Sequence, residues 1–173
     1  WMVQAARELR APFMAGSSLP NCWRRPYLEH PVGVPLEAAA SISYGPIESY
    51  GFHMLETLQC MIERRRSGEV GVEAVRCLEG DAVWEWLDEN PVHAELASAA
   101  GRSIRETTAP WERVREVVKE PAAFLLRYGD GLEAVNLLLN GYSQSFAYAA
   151  QTPDGIAACE FYLQAGMPYG HFS

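Results

Sequence analysis

Hydrophobic residues follow both a helical and a strand-like period, and the strand-like period dominates after residue 121. Over residues 47–66 apolar side chains recur every three or four positions, which predicts one long helix. Shorter helices are predicted at 2–9, 92–100 and 110–118, and another runs from Asp81 to the break at Asn90-Pro91.

Short apolar runs and alternating apolar and polar residues predict the strands. Gly129-Asp130-Gly131 and Pro153-Asp154-Gly155 are turn sequences that join the last strands in pairs, so these strands are expected to form an antiparallel meander. A long Pro-rich loop is predicted at 17–34. The predicted strands span 12–16, 36–44, 70–78, 122–128, 132–139, 142–150 and 156–163.

This order of elements predicts an α+β fold with an open, mostly antiparallel sheet and helices on one face. The helix at 2–9 and the strand at 12–16 indicate that a stub of a Rossmann-type α/β domain precedes this fold. We therefore predict a division between residues 1–32, the end of a nucleotide-binding domain with a crossing loop, and residues 33–173. The chain is expected to be a fragment, and its second domain is expected to be incomplete at the C-terminus.

Composition and charge indicate which partners and which cellular compartment to expect. The net charge is −8 and the only basic run is Arg64-Arg65-Arg66, which we interpret as closing the long helix, so nucleic-acid binding is not expected. No apolar run reaches the ~18 residues that cross a membrane, and no signal peptide is recognisable. The four cysteines have no metal-binding or CxxC spacing, which indicates free buried thiols in a reducing compartment and a cytoplasmic protein.

The most informative segment for function runs from Tyr44 to Leu58. Ser49, His53 and Glu56 are spaced i, i+4 and i+7, which places them on one face at the start of the long helix. His53 is then either a core histidine satisfied by hydrogen bonds or a general acid/base at the mouth of a site. The spacing alone leaves both interpretations open.

Several short motifs in this order resemble the glucose–fructose oxidoreductase / inositol dehydrogenase (Gfo/Idh/MocA) family. Ser49–Glu56 is similar to the family's Asp-x-x-x-His-x-x-Asp helix, although Ser49 stands where the family has its first Asp. The resemblance covers most of residues 10–165. The other matching segments are Pro12-Phe13-Met14-Ala15-Gly16, Trp23-Arg24-Arg25-Pro26, Gly33-Val34, Val72-Glu73-Ala74-Val75 and Tyr128-Gly129-Asp130-Gly131.

The resemblance implies a fragment of an NAD(P)-dependent oxidoreductase that acts on a sugar, a polyol or a related hydroxy compound. His53 would be the base, and Glu56 would orient it or anchor the helix. The family's glycine-rich phosphate loop is absent, so the main NAD or NADP site is expected upstream of Trp1. Substrate or cofactor contacts would come from Trp23, Arg24, Tyr50 and Glu48. No metal site is implied.

Two other functions are consistent with the same residues. A non-catalytic domain would oligomerise through its open sheet face, and homo-oligomers are expected for the oxidoreductase as well. A sugar isomerase or lyase would use His53 and Glu56 either without hydride transfer or with a metal. Arg24 and Arg25 are alternatively salt-bridge residues, and Tyr50 a packing aromatic. The aromatic residues available to the sheet interface, or alternatively to the core, are Tyr142, Phe146, Tyr148, Phe161 and Tyr162.

Overall fold

The computed structural model describes residues 1–13 and 16–163. They include one mixed sheet with helices packed against it, whereas the N-terminal helix buries none of its residues. The helices are α1 Met2–Leu9, α2 Ile47–Ile62, α3 Asp81–Glu89, α4 Pro91–Ser103 and α5 Val114–Val117, with 3₁₀ turns at Leu19–Asn21 and Trp111–Arg113. The strands are β1 Trp23–Arg25, β2 Ala38–Ser43, β3 Val72–Glu79, β4 Ala122–Tyr128, β5 Glu133–Leu138, β6 Phe146–Thr152 and β7 Gly155–Tyr162.

Among the described residues, the sheet has seven strands in the order β1-β7-β6-β2-β5-β4-β3. Only the β2–β5 pair is parallel, and every other neighbouring pair is antiparallel. The two ends of the order, β1 and β3, do not pair with each other, so the sheet is open. The predicted α+β class with an open, mostly antiparallel sheet is confirmed.

The predicted meander is wrong, because β2 separates the two C-terminal hairpins. The β4–β5 and β6–β7 hairpins form at the predicted turns, but β5 and β6 each pair with β2 instead of with each other. All six residues of β2 are buried, which requires a paired strand along each edge of β2 and packed side chains on both faces of the sheet. The centre of the sheet is the position that supplies all of these.

Helices cover both faces of the sheet, so the prediction that they lie on one face is wrong. Alternate residues of β2 belong to two different cores: Ala40 packs with Leu96 of α4, and Ala39 packs with Leu58 of α2. Successive side chains of a strand point to opposite faces, so α2 and α4 lie on opposite sides of the sheet. Because the inner strands are apolar on both faces, one helical layer would leave half of their side chains exposed.

The predicted crossing loop contains a strand of the sheet. β1 pairs antiparallel with β7, and both Leu19 and Cys22 are buried in the core beneath α2. Residues 23–25 are therefore a strand of the same sheet as β2–β7, and Leu19 and Cys22 share its core, so the predicted boundary at residue 33 does not separate them. Of the predicted strand at 12–16, residues 12, 13 and 16 are not in a strand, and residues 14–15 lie outside the described residues.

Two further expectations concern the cysteines and membranes. The cysteines are free; Cys22 and Cys159 are buried and Cys60 is partly buried, as predicted, whereas Cys77 is exposed on β3. Within residues 1–13 and 16–163, no helix combines the length and the apolar character that a membrane crossing requires.

Candidate functional site

The candidate site lies at the end of the sheet where β2 and β5 finish. These two strands are parallel, so the segments that follow them emerge side by side: Tyr44 and Gly45 after β2, and Asn140 after β5. The Asn140 side chain accepts a hydrogen bond from the Gly45 N–H (2.6 Å) and donates to the Gly45 carbonyl (3.3 Å). Crevices beyond the carboxyl ends of parallel strands are the usual place for ligands in open sheets.

Gly45 permits the tight entry into α2. Its φ is +91°, a conformation that costs other residues strain, and the ring of Tyr50 lies directly against the position that a Cβ would occupy. Pro46 then caps the helix, and its carbonyl accepts hydrogen bonds from the N–H groups of Ser49 and Tyr50. This turn brings the first two turns of α2, which carry His53, over the end of the sheet.

His53 is partly buried and has one identified partner. Its Nδ1 lies 2.7 Å from the Ser17 hydroxyl, which also accepts the Leu19 N–H at 3.1 Å. For His53 to accept a proton through Nε2, Nδ1 must carry the other proton and donate it to Ser17. The Ser17 oxygen has two lone pairs, so it can accept both bonds. No hydrogen bond to Nε2 is formed by the residues that the structure describes.

Aromatic rings wall the pocket beside His53, which has a volume of about 130 Å³. Tyr50 stacks on Phe146 with an interplanar angle of 10°, and the rings of Tyr44 and Tyr50 lie 5.0 Å apart. Burial, followed by the nearby Tyr50 phenol, raises the pKa of Tyr44 to about 12, so its hydroxyl keeps its proton at neutral pH. The pocket is lined by Leu19, Tyr44, Ser49, Tyr50, His53, Phe146 and Leu163.

Only part of the predicted site is brought together. Tyr50 lines the pocket with His53, and so does Ser49, whereas Glu48 is exposed in the first turn of α2 and lies outside the lining. Glu56 is one turn beyond His53 and forms no hydrogen bond with it; the His53 partner is Ser17 instead. The Glu56 carboxylate lies near Gly16, where an added Cβ would be 3.6 Å from Oε2.

Trp23 and Arg24 are also absent from the His53 pocket. Trp23 is exposed on the edge strand β1. The Arg24 guanidinium donates to the Pro20 carbonyl at 2.9 Å, contacts Cys60 Sγ at 3.8 Å and covers the Phe161 ring. Arg24 therefore links the segment before β1 to α2 and β7. These contacts within the protein favour a structural role for Arg24 over a ligand-binding role.

A second, much larger groove of about 1090 Å³ adjoins the His53 pocket, and Tyr44 and Leu163 line both. Sequence reasoning missed this groove because its residues come from five separate loops and strand ends. Among them, Glu160 of β7 is 4% exposed and accepts hydrogen bonds from Arg25 and Ser145. The sequence feature that could have indicated the groove is a polar residue at an inward-facing strand position, such as Glu160.

Neither a metal nor a dinucleotide fits the residues that the structure describes. No group of three His, Cys, Asp or Glu side chains is close enough there to hold a metal ion. The two helices that directly follow strands, α2 and α3, carry Glu48 and Asp81 in their first turns. A carboxylate at a helix N-terminus repels a phosphate, so neither helix offers the pyrophosphate site of a dinucleotide fold.

Comparisons of this chain with protein-family models, with curated proteins and with solved structures give no match. The resemblance to the glucose–fructose oxidoreductase / inositol dehydrogenase family therefore stays a prediction that depends on the motifs themselves.

Proposed function

We propose that this chain supplies the substrate-side acid/base residue of an NAD(P)-dependent oxidoreductase that acts on a sugar, polyol or related hydroxy compound. One observation carries the proposal: His53 lines an open pocket at the carboxyl end of β2, with Nδ1 held by Ser17. A histidine sealed in an apolar core would have no route to a substrate, whereas this one faces a cavity.

The proposed chemistry assigns proton transfer to His53. As a C–OH group is oxidised to a carbonyl, the hydroxyl proton passes to Nε2, and the bond from Nδ1 to Ser17 stabilises the imidazolium that forms. Tyr44 and Ser49 line the same pocket, and their hydroxyl groups would orient the reacting hydroxyl group through hydrogen bonds. Imidazole suits this task because it gains and loses protons near neutral pH.

The nicotinamide, when bound, would supply the hydride acceptor. The described residues do not fit its pyrophosphate, so the resemblance implies that another part of the protein holds the nucleotide. What this chain contributes is the positioning of the substrate hydroxyl and the removal of its proton.

The test is a spectrophotometric screen of the intact protein for reduction of NAD⁺ or NADP⁺ with a panel of sugars and polyols. His53→Ala is expected to lower kcat by about 10²- to 10⁴-fold while the KM for the nucleotide changes little. The control is Glu63→Gln, an exposed change at the far end of α2. Absence of turnover with every substrate, or a His53→Ala protein that is as active as the wild type, would contradict the proposal.

Self-association is a second candidate function, favoured by a different observation. Within residues 1–13 and 16–163, no helix covers the β3 end of the sheet on the α2 face, and Val75 is 61% exposed beside the exposed Cys77. The four aromatics Tyr142, Phe146, Tyr148 and Phe161 cannot form an interface, because each is buried. We propose that a second copy covers the β3 end, and Val75→Lys should then lower the molar mass measured by light scattering.

A further inference from the structure

We propose that the large polar groove beside the His53 pocket binds additional sugar units, so that the ligand is a neutral oligosaccharide or glycoside rather than a free monosaccharide. This inference rests on the proposed function, because it places the reacting unit next to His53. The groove lies on the same end of the sheet and continues the pocket, since Tyr44 and Leu163 line both cavities.

The two volumes indicate a ligand longer than one ring. The His53 pocket has about 130 Å³, and the groove has about 1090 Å³. Cavities of roughly 300–1,000 Å³ hold whole drug-sized ligands. The small pocket is therefore suited to the reacting part of a molecule, and the groove has room for the rest of it.

The charges of the groove favour a neutral ligand. Two arginines, Arg25 and Arg105, and two glutamates, Glu106 and Glu160, line it, so their formal charges sum to zero. The buried Glu160 carboxylate would repel a phosphate or carboxylate that approached Arg25. The other polar lining groups are hydroxyls and amides, which hydrogen-bond to hydroxyl groups without a charge requirement.

Glu160 and Arg25 form a rigid pair at one side of the groove. Glu160 Oε2 accepts from Arg25 Nη2 (2.7 Å) and Nε (3.2 Å), and Oε1 accepts from the Ser145 hydroxyl at 2.8 Å. The guanidinium also lies 4.2 Å from the ring centre of Tyr162, which fixes its plane.

This pair still has unused hydrogen-bonding capacity. A carboxylate has about four acceptor sites and a guanidinium five N–H donors, so each has capacity left after these bonds. A fixed acceptor next to a fixed donor matches two neighbouring hydroxyls of a sugar, each of which donates and accepts. Orientation of these groups before binding reduces the entropy cost of holding a flexible glycan.

The test begins with an array of neutral and acidic oligosaccharides probed with the intact protein. The best neutral glycan is then compared with its own monosaccharide by isothermal titration calorimetry. The proposal expects the oligosaccharide to bind at least about tenfold more tightly. Binding of acidic glycans alone, equal affinity for monomer and oligomer, or binding of no glycan would overturn it.

Two groove variants test the location of binding. Glu160→Gln keeps the shape of the buried side chain, and Gln144→Ala alters an exposed lining residue that the fold does not need. Each should weaken oligosaccharide binding about three- to tenfold, whereas Gln151→Ala near the other end of β6 should not. Affinity that is unchanged in both groove variants would overturn the assignment of binding to this groove.

Failure of this proposal can be told from failure of the proposed function. Glycan binding that depends on the groove, without reduction of NAD⁺ or NADP⁺ by any bound glycan, would leave the groove assignment standing and overturn the oxidoreductase. Turnover that requires His53 but is unaffected by Glu160→Gln and Gln144→Ala would support the oxidoreductase and overturn the assignment of glycan binding to the groove.

Discussion

Nδ1 of His53 and the hydroxyl oxygen of Ser17 lie 2.7 Å apart, although 36 residues separate them in the chain. This bond joins the segment before β1 to the second turn of α2. It also fixes which nitrogen of the imidazole can face the pocket, because the nitrogen bound to Ser17 is not free for a substrate.

The first prediction follows from this bond. Ser17→Ala should lower kcat about tenfold in an NAD⁺ or NADP⁺ reduction assay, since the imidazole loses the partner that orients it, and Ser17→Thr should restore most of the activity. As a control, the melting temperature of each variant is compared with that of the wild type to show that the fold is intact. A Ser17→Ala protein with unchanged kcat at every pH between 6 and 9 would show that the bond has no role in catalysis.

The second prediction concerns the ion pair between the buried Arg65 and the more exposed Asp130. Arg65 is 3% exposed, and its Nε and Nη2 donate to the Asp130 carboxylate at 2.6 and 3.2 Å. Asp130→Asn should lower the free energy of unfolding by about 2–4 kcal/mol, because it leaves a buried guanidinium without a counter-charge. The exposed pair Arg113–Glu116 supplies the control: Glu116→Gln should cost less than about 0.5 kcal/mol in the same urea titration.

The same pair predicts how stability responds to acid. The hydrogen bonds from Arg65, and then those from the Ser67 hydroxyl and the Leu132 N–H, hold the pKa of Asp130 far below its usual value of 3.8. A carboxylate with a lowered pKa contributes stability that is complete above its unfolded pKa and is lost as pH falls through its folded one. Unfolding free energy should therefore decline below about pH 4, and the decline should be smaller in Asp130→Asn.

The third prediction concerns two buried histidines. Burial lowers the pKa of His93, which packs against the Trp86 ring and lies near Glu133. Burial also lowers the pKa of His30, whose Nε2 lies 3.1 Å from the Tyr148 hydroxyl. Below pH 6.5 the unfolded chain takes up protons that the folded imidazoles do not, so stability should fall as pH drops from 7 to 5.

Substitution separates the two histidines. His93→Phe removes one titrating group from an apolar site, so the slope of unfolding free energy against pH should become shallower between pH 5 and 7. Urea titrations at half-unit pH intervals measure this slope. A slope equal to that of the wild type would show that His93 does not contribute to it.

The fourth prediction uses two glycines with positive φ. Gly45 and Gly68 have φ of +91° and +67°, so alanine at either should cost about 1–2 kcal/mol in backbone strain. At Gly68 no atom lies within 4 Å of the added Cβ, whereas at Gly45 the Tyr50 ring must move. Gly45→Ala should therefore destabilise more than Gly68→Ala, and it alone should impair catalysis. Equal effects on activity would contradict this role of Tyr50.

The sequence predicts local features well where a few neighbouring residues are sufficient to determine them. The long helix begins at Ile47 as its apolar period indicates, and the hairpin at Gly129-Asp130-Gly131 forms because glycine permits the positive φ of Gly131. The position of His53 on an early turn of α2 follows directly from this helix.

Elements whose stability comes from distant partners were predicted poorly. β1 has three residues and no strand-like pattern of its own, so only its pairing with β7 makes it a strand. The helix predicted at 110–118 shortens to α5, Val114–Val117, after the 3₁₀ turn at Trp111. Arg65, interpreted as a helix-closing cation, is a buried partner of a residue in a different hairpin.

By itself the sequence determined the class of fold, the two C-terminal hairpins and the helix that carries His53, because periodicity and turn chemistry act over a few residues. Only the tertiary structure placed β2 between the hairpins, put α2 and α4 on opposite faces, and brought Ser17 to His53 and Arg25 to Glu160. The two side-chain bonds join residues 36 and 135 positions apart, and the placement of the strands and helices depends on which apolar faces can be buried together.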